Sequence, residues 1–355
     1  MSRRPVGYYV HHQGAGHWQR AARLAAALDR PVTLIGTFAE IDTSGAAVDL
    51  LDLPDDRIDG FDGLDGEADR PRGLHYAPLG IDAIRDRMSR IAAWIAAADP
   101  VLMVVDVSVE VALLARLLSV PTLVVRLAGE RTDMPHLEAF RGAAHLIAPF
   151  PAALEAESTP DWVRAKTFHA GFLGSGRLEP VAEDGSILVV YGRGGAGGSA
   201  AELAAAARAV PDRVWHVLGP VRPDGTALPP NLHLHGWVSD IGPYLGPAAL
   251  VVGGGGDGVV AAVAAGAKRF ICLAEPRHYD EQVVKARRLE ALGAALCREG
   301  WPAAADWPDL VRAGLALDPA VIGALAEPNA LSRTAAFVSE LADRLEARRE
   351  RPASR

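Results

Sequence analysis

The sequence predicts an α/β protein with two similar halves, each built on a parallel sheet. Short apolar runs alternate with amphipathic helical segments along the chain, as in βαβ units. Most of these runs are continuously apolar, which is typical of strands covered by helices on both faces. Glycine-rich turns follow directly on three of the apolar runs, at 13–16, 192–198 and 253–258.

Composition supports a two-domain protein and excludes several classes. A length of 355 residues suggests about two domains, and a hydrophobic fraction of 50% provides material for their cores. The formal charge of −8 argues against a nucleic-acid partner, because such binding depends on clustered Lys and Arg. Cys272 and Cys297 are too few for a disulfide framework or a Cys-rich metal site.

No segment has the pattern of a secretion signal or a membrane span. The apolar run 6–10 stops at His11, which is too short for a signal-peptide core. The most apolar long segment, 241–256, is interrupted by Gly and Pro. We therefore expect a cytoplasmic protein without stable membrane insertion; peripheral membrane contact through a lipid acceptor stays open.

The first half predicts two βαβ units separated by an acidic insertion. The segment 36–80 carries nine Asp residues among Gly and Pro with little periodicity, and it reads as a solvated surface loop or a functional loop. The other elements expected in this half are a strand at 6–10, a helix at 18–28, a strand at 32–35, a helix at 81–98, a strand at 101–105 that ends before Asp106, a helix reaching Leu118 and a strand at 122–125.

The second half repeats the alternation after a Gly- and Pro-rich linker. The expected organisation is an N-terminal domain at 1–167, a linker at 168–185, a C-terminal domain at 186–330, and a helix with a basic tail at 331–355. The strands expected in the second domain are 187–190, 214–218, 232–235, 250–252 and 270–273.

Two glycine-rich turns of the second half are candidates for a phosphate site. Glycine lets the backbone approach a ligand closely, and the following helix offers unpaired N–H groups to an anion. A plain tight turn is the alternative for each. Arg193 lies inside the first turn, where its guanidinium suits a diphosphate or simply faces solvent. Glu275 is a loosely placed candidate for binding a ribose.

His17 and Asp106 are candidates for a general base and its supporting carboxylate. His17 starts the helix after the first turn, and Asp106 ends another strand of the same half. Because parallel strands end at one edge of a sheet, the two side chains are expected to meet. A surface or capping His17 is the ordinary alternative, and a metal site of His11, His12 and His17 is a weaker one.

The cluster 277–282 follows the last strand and enters a helix. His278, Asp280 and Gln282 together offer hydrogen bonds to neighbouring hydroxyl groups, which suits a sugar. The same cluster also suits capping of the helix by Asp280.

These motifs, in this order, resemble the two-domain GT-B glycosyltransferases, both the lipid II-forming N-acetylglucosaminyltransferases and the UDP-glycosyltransferases. The resemblance covers nearly the whole chain. It implies two Rossmann-like domains facing across a cleft, a nucleotide-sugar donor in the second domain and an acceptor of unknown identity in the first. The donor-binding residues implied are Gly16, Gly192, Arg193, Gly194, Val238, Gly255, Gly256, Asp257, Gly258, His278, Asp280 and Gln282.

Three positions depart from the family pattern. Gly258 replaces a Thr of the phosphate loop, Lys285 replaces an Asn, and the carboxylate that holds the ribose falls on Ala261 or Ala262. The function expected is inverting sugar transfer, most simply from a UDP-sugar, with His17 as base, supported by Asp106, and no metal or other cofactor. A nucleotide-sugar 2-epimerase, a non-catalytic nucleotide-sugar-binding protein and, on the glycine pattern alone, a dehydrogenase stay open as alternatives.

Overall fold

The structure is a computed structural model that describes residues 3–11, 15–43, 48–57, 61–173, 181–192, 195 and 197–350. Within these residues the chain forms two all-parallel sheets of seven and six strands, with helices on both faces of each. The prediction of two facing α/β domains is confirmed.

The first sheet has the spatial order β3-β2-β1-β4-β5-β6-β7. Its strands are β1 Val6–Tyr9, β2 Val32–Gly36, β3 Asp49–Asp52, β4 Leu102–Asp106, β5 Thr122–Val125, β6 His145–Ala148 and β7 Thr167–His169. The helices that accompany them are α1 Ala15–Ala27, α2 Asp82–Ala98, α3 Val109–Leu117, α4 Met134–Gly142 and α5 Asp161–Lys166.

The second sheet has the order β12-β10-β8-β13-β14-β15, and β9 pairs separately with β11. These strands are β8 Ile187–Val190, β9 Gly198–Ser199, β10 Trp215–Leu218, β11 Val221–Arg222, β12 Leu232–Gly236, β13 Leu250–Gly253, β14 Phe270–Ala274 and β15 Leu296–Glu299. The remaining helices are α6 Ala200–Ala209, α7 Gly242–Leu245, α8 Asp257–Ala265, α9 Glu281–Ala291, α10 Trp307–Leu315, α11 Pro319–Gly323 and α12 Ala330–Glu350.

Alternating strand residues build a core on each face of each sheet. Val104 packs on one face of the first sheet and Val105 on the other, and both are fully buried. Helix α12 does not stay with the second domain: Val338 and Leu341 pack beside α1 on the first sheet. The C-terminal helix therefore ties the two ends of the chain together.

The structure differs from the sequence prediction at the sheet edges. The segment 36–80 was expected to lack regular structure, but it contains β3, an edge strand with Asp at both ends and little burial. β7 includes residues 168 and 169, so the first sheet extends into the segment expected to be the linker. β3 and β7 lack a continuous apolar run because neither is fully buried, and the apolar pattern therefore missed both of these edge strands. No helix in the described parts of the chain is long and apolar enough to cross a bilayer.

The two domains meet at a glycine that packs against the backbone of the partner domain. Gly129 follows β5 with a φ of +107°, and the backbone N–H of the next residue, Glu130, donates to the Tyr279 carbonyl at 2.7 Å. A Cβ added at Gly129 would overlap that carbonyl oxygen and lie 3.0 Å from Glu281 Cα. Only glycine satisfies both the backbone conformation and the close approach.

Gly129→Ala should lower the free energy of unfolding by about 1–3 kcal/mol, because it combines left-handed strain with overlap at the domain contact. Gly73→Ala is the matched control, since a Cβ at Gly73 meets nothing within 4 Å. Urea unfolding followed by tryptophan fluorescence measures both variants. Equal stability of the two variants would show that the contact at Gly129 does not hold the domains.

Candidate active site

One cavity of about 990 Å³ lies between the strand ends of the two sheets. The first domain contributes β1, α1, the residues that follow β4 and part of the acidic insertion, and the second contributes the turns after β8, β13 and β14. Ligands of open parallel sheets bind at such strand-end crevices. The first-domain side chains that line it include His17, Arg20, Asp56, His75, Tyr76, Glu110 and Arg131.

His17 and Asp106 meet at the edge of the first sheet. β1 and β4 are neighbours in parallel register, so the helix that starts after β1 lies beside the last residue of β4. His17 Nδ1 is 2.9 Å from Asp106 Oδ2, and the Asp106 side chain is fully buried. The expected meeting of these two side chains is present in the structure.

Arg20 completes this group and was not anticipated from the sequence. It lies one helical turn after His17, and its Nη2 donates to Asp106 Oδ1 and Oδ2 at 2.9 and 2.8 Å. Burial by itself raises the pKa of Asp106, but Arg20 and His17 outweigh it and hold the pKa well below its usual range. The i, i+3 spacing of His17 and Arg20 was the available signal, because it puts both on one helix face.

The ionised Asp106 determines the state of the imidazole. A carboxylate only accepts hydrogen bonds, so the Nδ1 atom of His17 carries a proton and donates a hydrogen bond to Asp106. Arg20 Nη2 and His17 Nδ1 are then 2.9 Å apart because both donate to the same carboxylate, and not because they are bonded to each other. In neutral His17 the lone pair is on Nε2, and the residue lines the cavity. A neutral imidazole in this arrangement can accept a proton at Nε2.

The turn after β13 brings the start of α8 to the opposite side of the cavity. Gly256 is the N-cap residue, and α8 begins at Asp257. The first N–H groups of a helix have no partner within the helix and favour an anion. A Cβ at Gly258 would meet nothing within 4 Å, so the backbone is open to a ligand at this point.

Gln282 packs so closely against the residues before α8 that glycine is required there. Its Oε1 accepts from the Gly255 N–H at 2.9 Å and from the Glu275 N–H at 3.1 Å. A Cβ at Gly254 would lie 3.2 Å from that oxygen, and one at Gly255 would lie 3.0 Å from the Gln282 carbonyl. The amide oxygen of Gln282 holds the glycine turn to the residue that follows β14, and the sugar-binding role predicted for this side chain, which lines the cavity, stays a prediction.

Asp257 and Lys285 form an ion pair beneath the turn. The Lys285 side chain is fully buried and its Nζ contacts Asp257 Oδ1, with Glu281 Oε1 at 4.0 Å. Burial opposes both charges, but the pairing outweighs it, so the pKa of Asp257 is lowered and that of Lys285 is raised. Lys285, the departure from the family pattern, thus neutralises the carboxylate at the start of α8.

The other predicted site residues divide between the cavity and its surroundings. Arg193 and Gly194, like His12, lie outside the described residues. Val238 packs against the core of the second domain, and neither Val238, Gly255 nor Asp280 lines the cavity. The predicted residues that do line it are Gly16, His17, Gly192, Gly256, Asp257, Gly258, His278 and Gln282.

A second histidine–aspartate group at the same cavity was missed by sequence reasoning. Asp133 contacts His75 Nε2 and His136 Nδ1 at 2.5 Å each, and Arg131 Nη1 lies 3.1 Å from His136 Nε2. Burial first, and then Arg131, lowers the pKa of His136 to about 4, so this imidazole is neutral at pH 7. His75 lies 58 positions before Asp133 in the sequence, and no spacing pattern connects it to Asp133 and His136.

No protein-family model matches the sequence, and no curated protein matches it. Solved structures do match over nearly the whole chain. The glycotransferase of kitacinnamycin has a TM-score of 0.66 at 16% identity, covering 98% of this chain and 99% of its own. MurG of Acinetobacter baumannii has a TM-score of 0.64 at 15% identity, and the match covers 95% of this chain and 99% of MurG. Glycosyltransferase VinC, in complex with dTDP, has a TM-score of 0.64 at 15% identity, and the match covers 96% of this chain and 100% of VinC.

The chain has the GT-B fold. The predicted fold class is therefore confirmed, with the cavity of this chain between its two Rossmann-like domains. Identities of 15–16% carry the fold alone, so the chemistry has to be argued from the residues at the cavity.

Asp106→Asn should lower the free energy of unfolding by about 3 kcal/mol at pH 7, because it leaves Arg20 without its buried counter-charge. The pKa of Asp106 is lowered in the folded state, so its stabilising effect is full above the unfolded value of about 3.8 and declines as the pH falls below it. Urea unfolding of wild type and variant between pH 3 and 8 measures this difference.

Asp82→Asn, at an exposed ion pair with Arg85, is the control and should change stability little at any pH. A wild-type advantage over Asp106→Asn that grew as the pH fell would contradict an ionised Asp106.

Proposed function

We propose that this protein is an inverting glycosyltransferase that moves a sugar from a nucleoside diphosphate to an acceptor hydroxyl. The proposal rests on one observation: His17, which is hydrogen-bonded to Asp106, lies across the cavity from the open start of α8. A base on one domain and an anion site on the other are the two groups that such a displacement needs.

The proposed step is a single displacement. His17 Nε2 takes the proton of the acceptor hydroxyl as the oxygen bonds to the anomeric carbon of the sugar. The bond from that carbon to the diphosphate oxygen breaks, and its electron pair leaves with the nucleoside diphosphate. Asp106 stabilises the imidazolium that forms, and His17 then releases the proton to solvent.

The leaving diphosphate would be stabilised without a metal. The free N–H groups at the start of α8 lie at the cavity, and Lys285 cancels the charge of Asp257 beside them. Arg193 is proposed as a further cation on the diphosphate.

The identity of the nucleotide depends on the ribose site. Ala261 and Ala262, which stand where the resemblance places the ribose carboxylate, are both buried. When that carboxylate is missing, a nucleotide with fewer ribose hydroxyls loses fewer hydrogen bonds and therefore less binding energy. Deoxythymidine diphosphate lacks the 2′-hydroxyl. VinC, which shares the fold, is in complex with dTDP. We therefore expect dTDP to bind at least as tightly as UDP, although the sequence alone favoured UDP.

A thermal-shift panel of UDP, dTDP, GDP, ADP and NAD⁺ tests the donor class. Nucleoside diphosphates should raise the melting temperature in a concentration-dependent way, as ligands of the folded state do. NAD⁺ binding without diphosphate binding would point to a dehydrogenase. Conversion of UDP-N-acetylglucosamine without an acceptor to a new sugar nucleotide would point to an epimerase.

His17→Ala should lower turnover by about 10²- to 10⁴-fold while changing nucleotide affinity less than about 2-fold, because the base acts on the acceptor. Turnover is measured as nucleoside diphosphate released with an acceptor selected from a hydroxylated panel, and affinity by calorimetry. His145→Ala, a histidine away from the cavity, is the control and should keep both values. A fully active His17→Ala enzyme would remove the proposed base.

Asp257→Asn should bind dTDP about 3- to 10-fold more tightly than wild type. The change removes a negative charge beside the diphosphate and leaves Lys285 positive. Asp309→Asn, an exposed acidic residue on α10, is the control and should bind as wild type does. Weaker dTDP binding by Asp257→Asn would show that the diphosphate does not sit at the start of α8.

A further inference from the structure

The outer edge of the second sheet carries a histidine cluster that the proposed reaction does not use. His216 lies on β10 and is paired in register with His233 on the edge strand β12. His233 and His235 are two residues apart on that strand and so face the same side. Tyr244, on the short helix α7 that follows, contacts His235.

Two imidazole nitrogens of this cluster point at each other. His216 Nδ1 and His235 Nε2 are 3.0 Å apart, and His235 Nδ1 is 3.3 Å from the Tyr244 hydroxyl. One proton bridges the two facing nitrogens when the site is metal-free, since two bare lone pairs would repel. A metal ion can take the place of that proton when the two rings tilt so that both nitrogens direct a lone pair at it.

We propose that His216 and His235 bind one late transition-metal dication, with Cu²⁺ and Ni²⁺ preferred. Two bonds of about 2.1 Å at a right angle place their nitrogens about 3.0 Å apart. That separation is the one observed, and it suits cis positions of a square-planar or tetragonal ion. A tetrahedral ion would need about 3.4 Å. His235 is exposed, so water completes the coordination and the ion enters directly from solvent.

Tyr244 and His233 have different roles beside the ion. His235 Nδ1 lies 3.3 Å from the Tyr244 hydroxyl, and an N–H at Nδ1 that donates to this oxygen would leave Nε2 free for the ion; ligating histidines usually have such a partner. The His233 ring lies beside that of His216, with centroids 5.5 Å apart and planes inclined by only 26°. Because His233 contacts the cluster through ring stacking, we treat it as a neighbour of the site and not as a ligand.

The His75–Asp133–His136 group is a weaker metal site, although its ligand atoms lie within 4.8 Å of one another. Arg131 donates to His136 Nε2, so the Nδ1 that would face the ion carries a proton. The Arg131 charge also opposes a second cation nearby. The metal is therefore assigned to the sheet edge.

Calorimetric titration of the untagged full chain with NiCl₂ tests the assignment. We expect one saturable site per chain. His216→Ala and His235→Ala should each weaken Ni²⁺ binding by at least about 10-fold, and Tyr244→Phe by about 10-fold. His233→Ala is the matched control, on the same strand and face, and should keep the affinity within about 3-fold. Cu²⁺ bound to wild type should show two equatorial nitrogens by electron paramagnetic resonance.

Thermal unfolding separates a lost ligand from a lost fold. In EDTA all variants should melt close to wild type, because the cluster is at the surface. Ni²⁺ should raise the melting temperature of wild type and His233→Ala but not of His216→Ala or His235→Ala. Absence of saturable Ni²⁺ binding, or its loss in Asp133→Asn instead of His235→Ala, would overturn the proposal.

Discussion

Parallel strands bring the residues that follow them to one edge of a sheet, and the whole proposed site depends on this constraint. β4 ends at Asp106, and the neighbouring β1 leads into the helix that carries His17. In the second sheet, β13 leads into α8 and its open N-terminus. Because the two edges face each other over one cavity, the proposed base of one domain lies opposite the proposed anion site of the other.

Charge is compensated separately on each side of that cavity. Asp106 is fully buried and balanced by Arg20, while the fully buried Lys285 is balanced by Asp257. Unpaired, either buried charge would be strongly destabilising. Paired, the first holds an imidazole in one tautomer and the second leaves a nearly neutral surface at the start of α8. The backbone hydrogen bond next to Gly129 links the two domains.

The sequence predicted what periodicity and strand ends encode. Continuously apolar strands such as β4 and β13 were found, and the meeting of His17 with Asp106, 89 positions apart, followed from strand order. Edge strands such as β3 were missed because half of each strand faces water. The Asp257–Lys285 pair and the His75 group depend on contacts between distant segments, which a single sequence does not record. Gln282 was singled out for a sugar, but the hydrogen bonds of its amide oxygen to two backbone N–H groups could not be foreseen from the sequence.

The central claim is that a nucleoside diphosphate binds at the start of α8 with its sugar-bearing end toward His17. A crystal structure of the chain with dTDP tests it most directly. The account predicts the β-phosphate within hydrogen-bonding distance of the N–H groups at 257–259, with His17 Nε2 facing the space beyond it. A diphosphate bound elsewhere in the chain, or a His17 turned away from that space, would contradict the account.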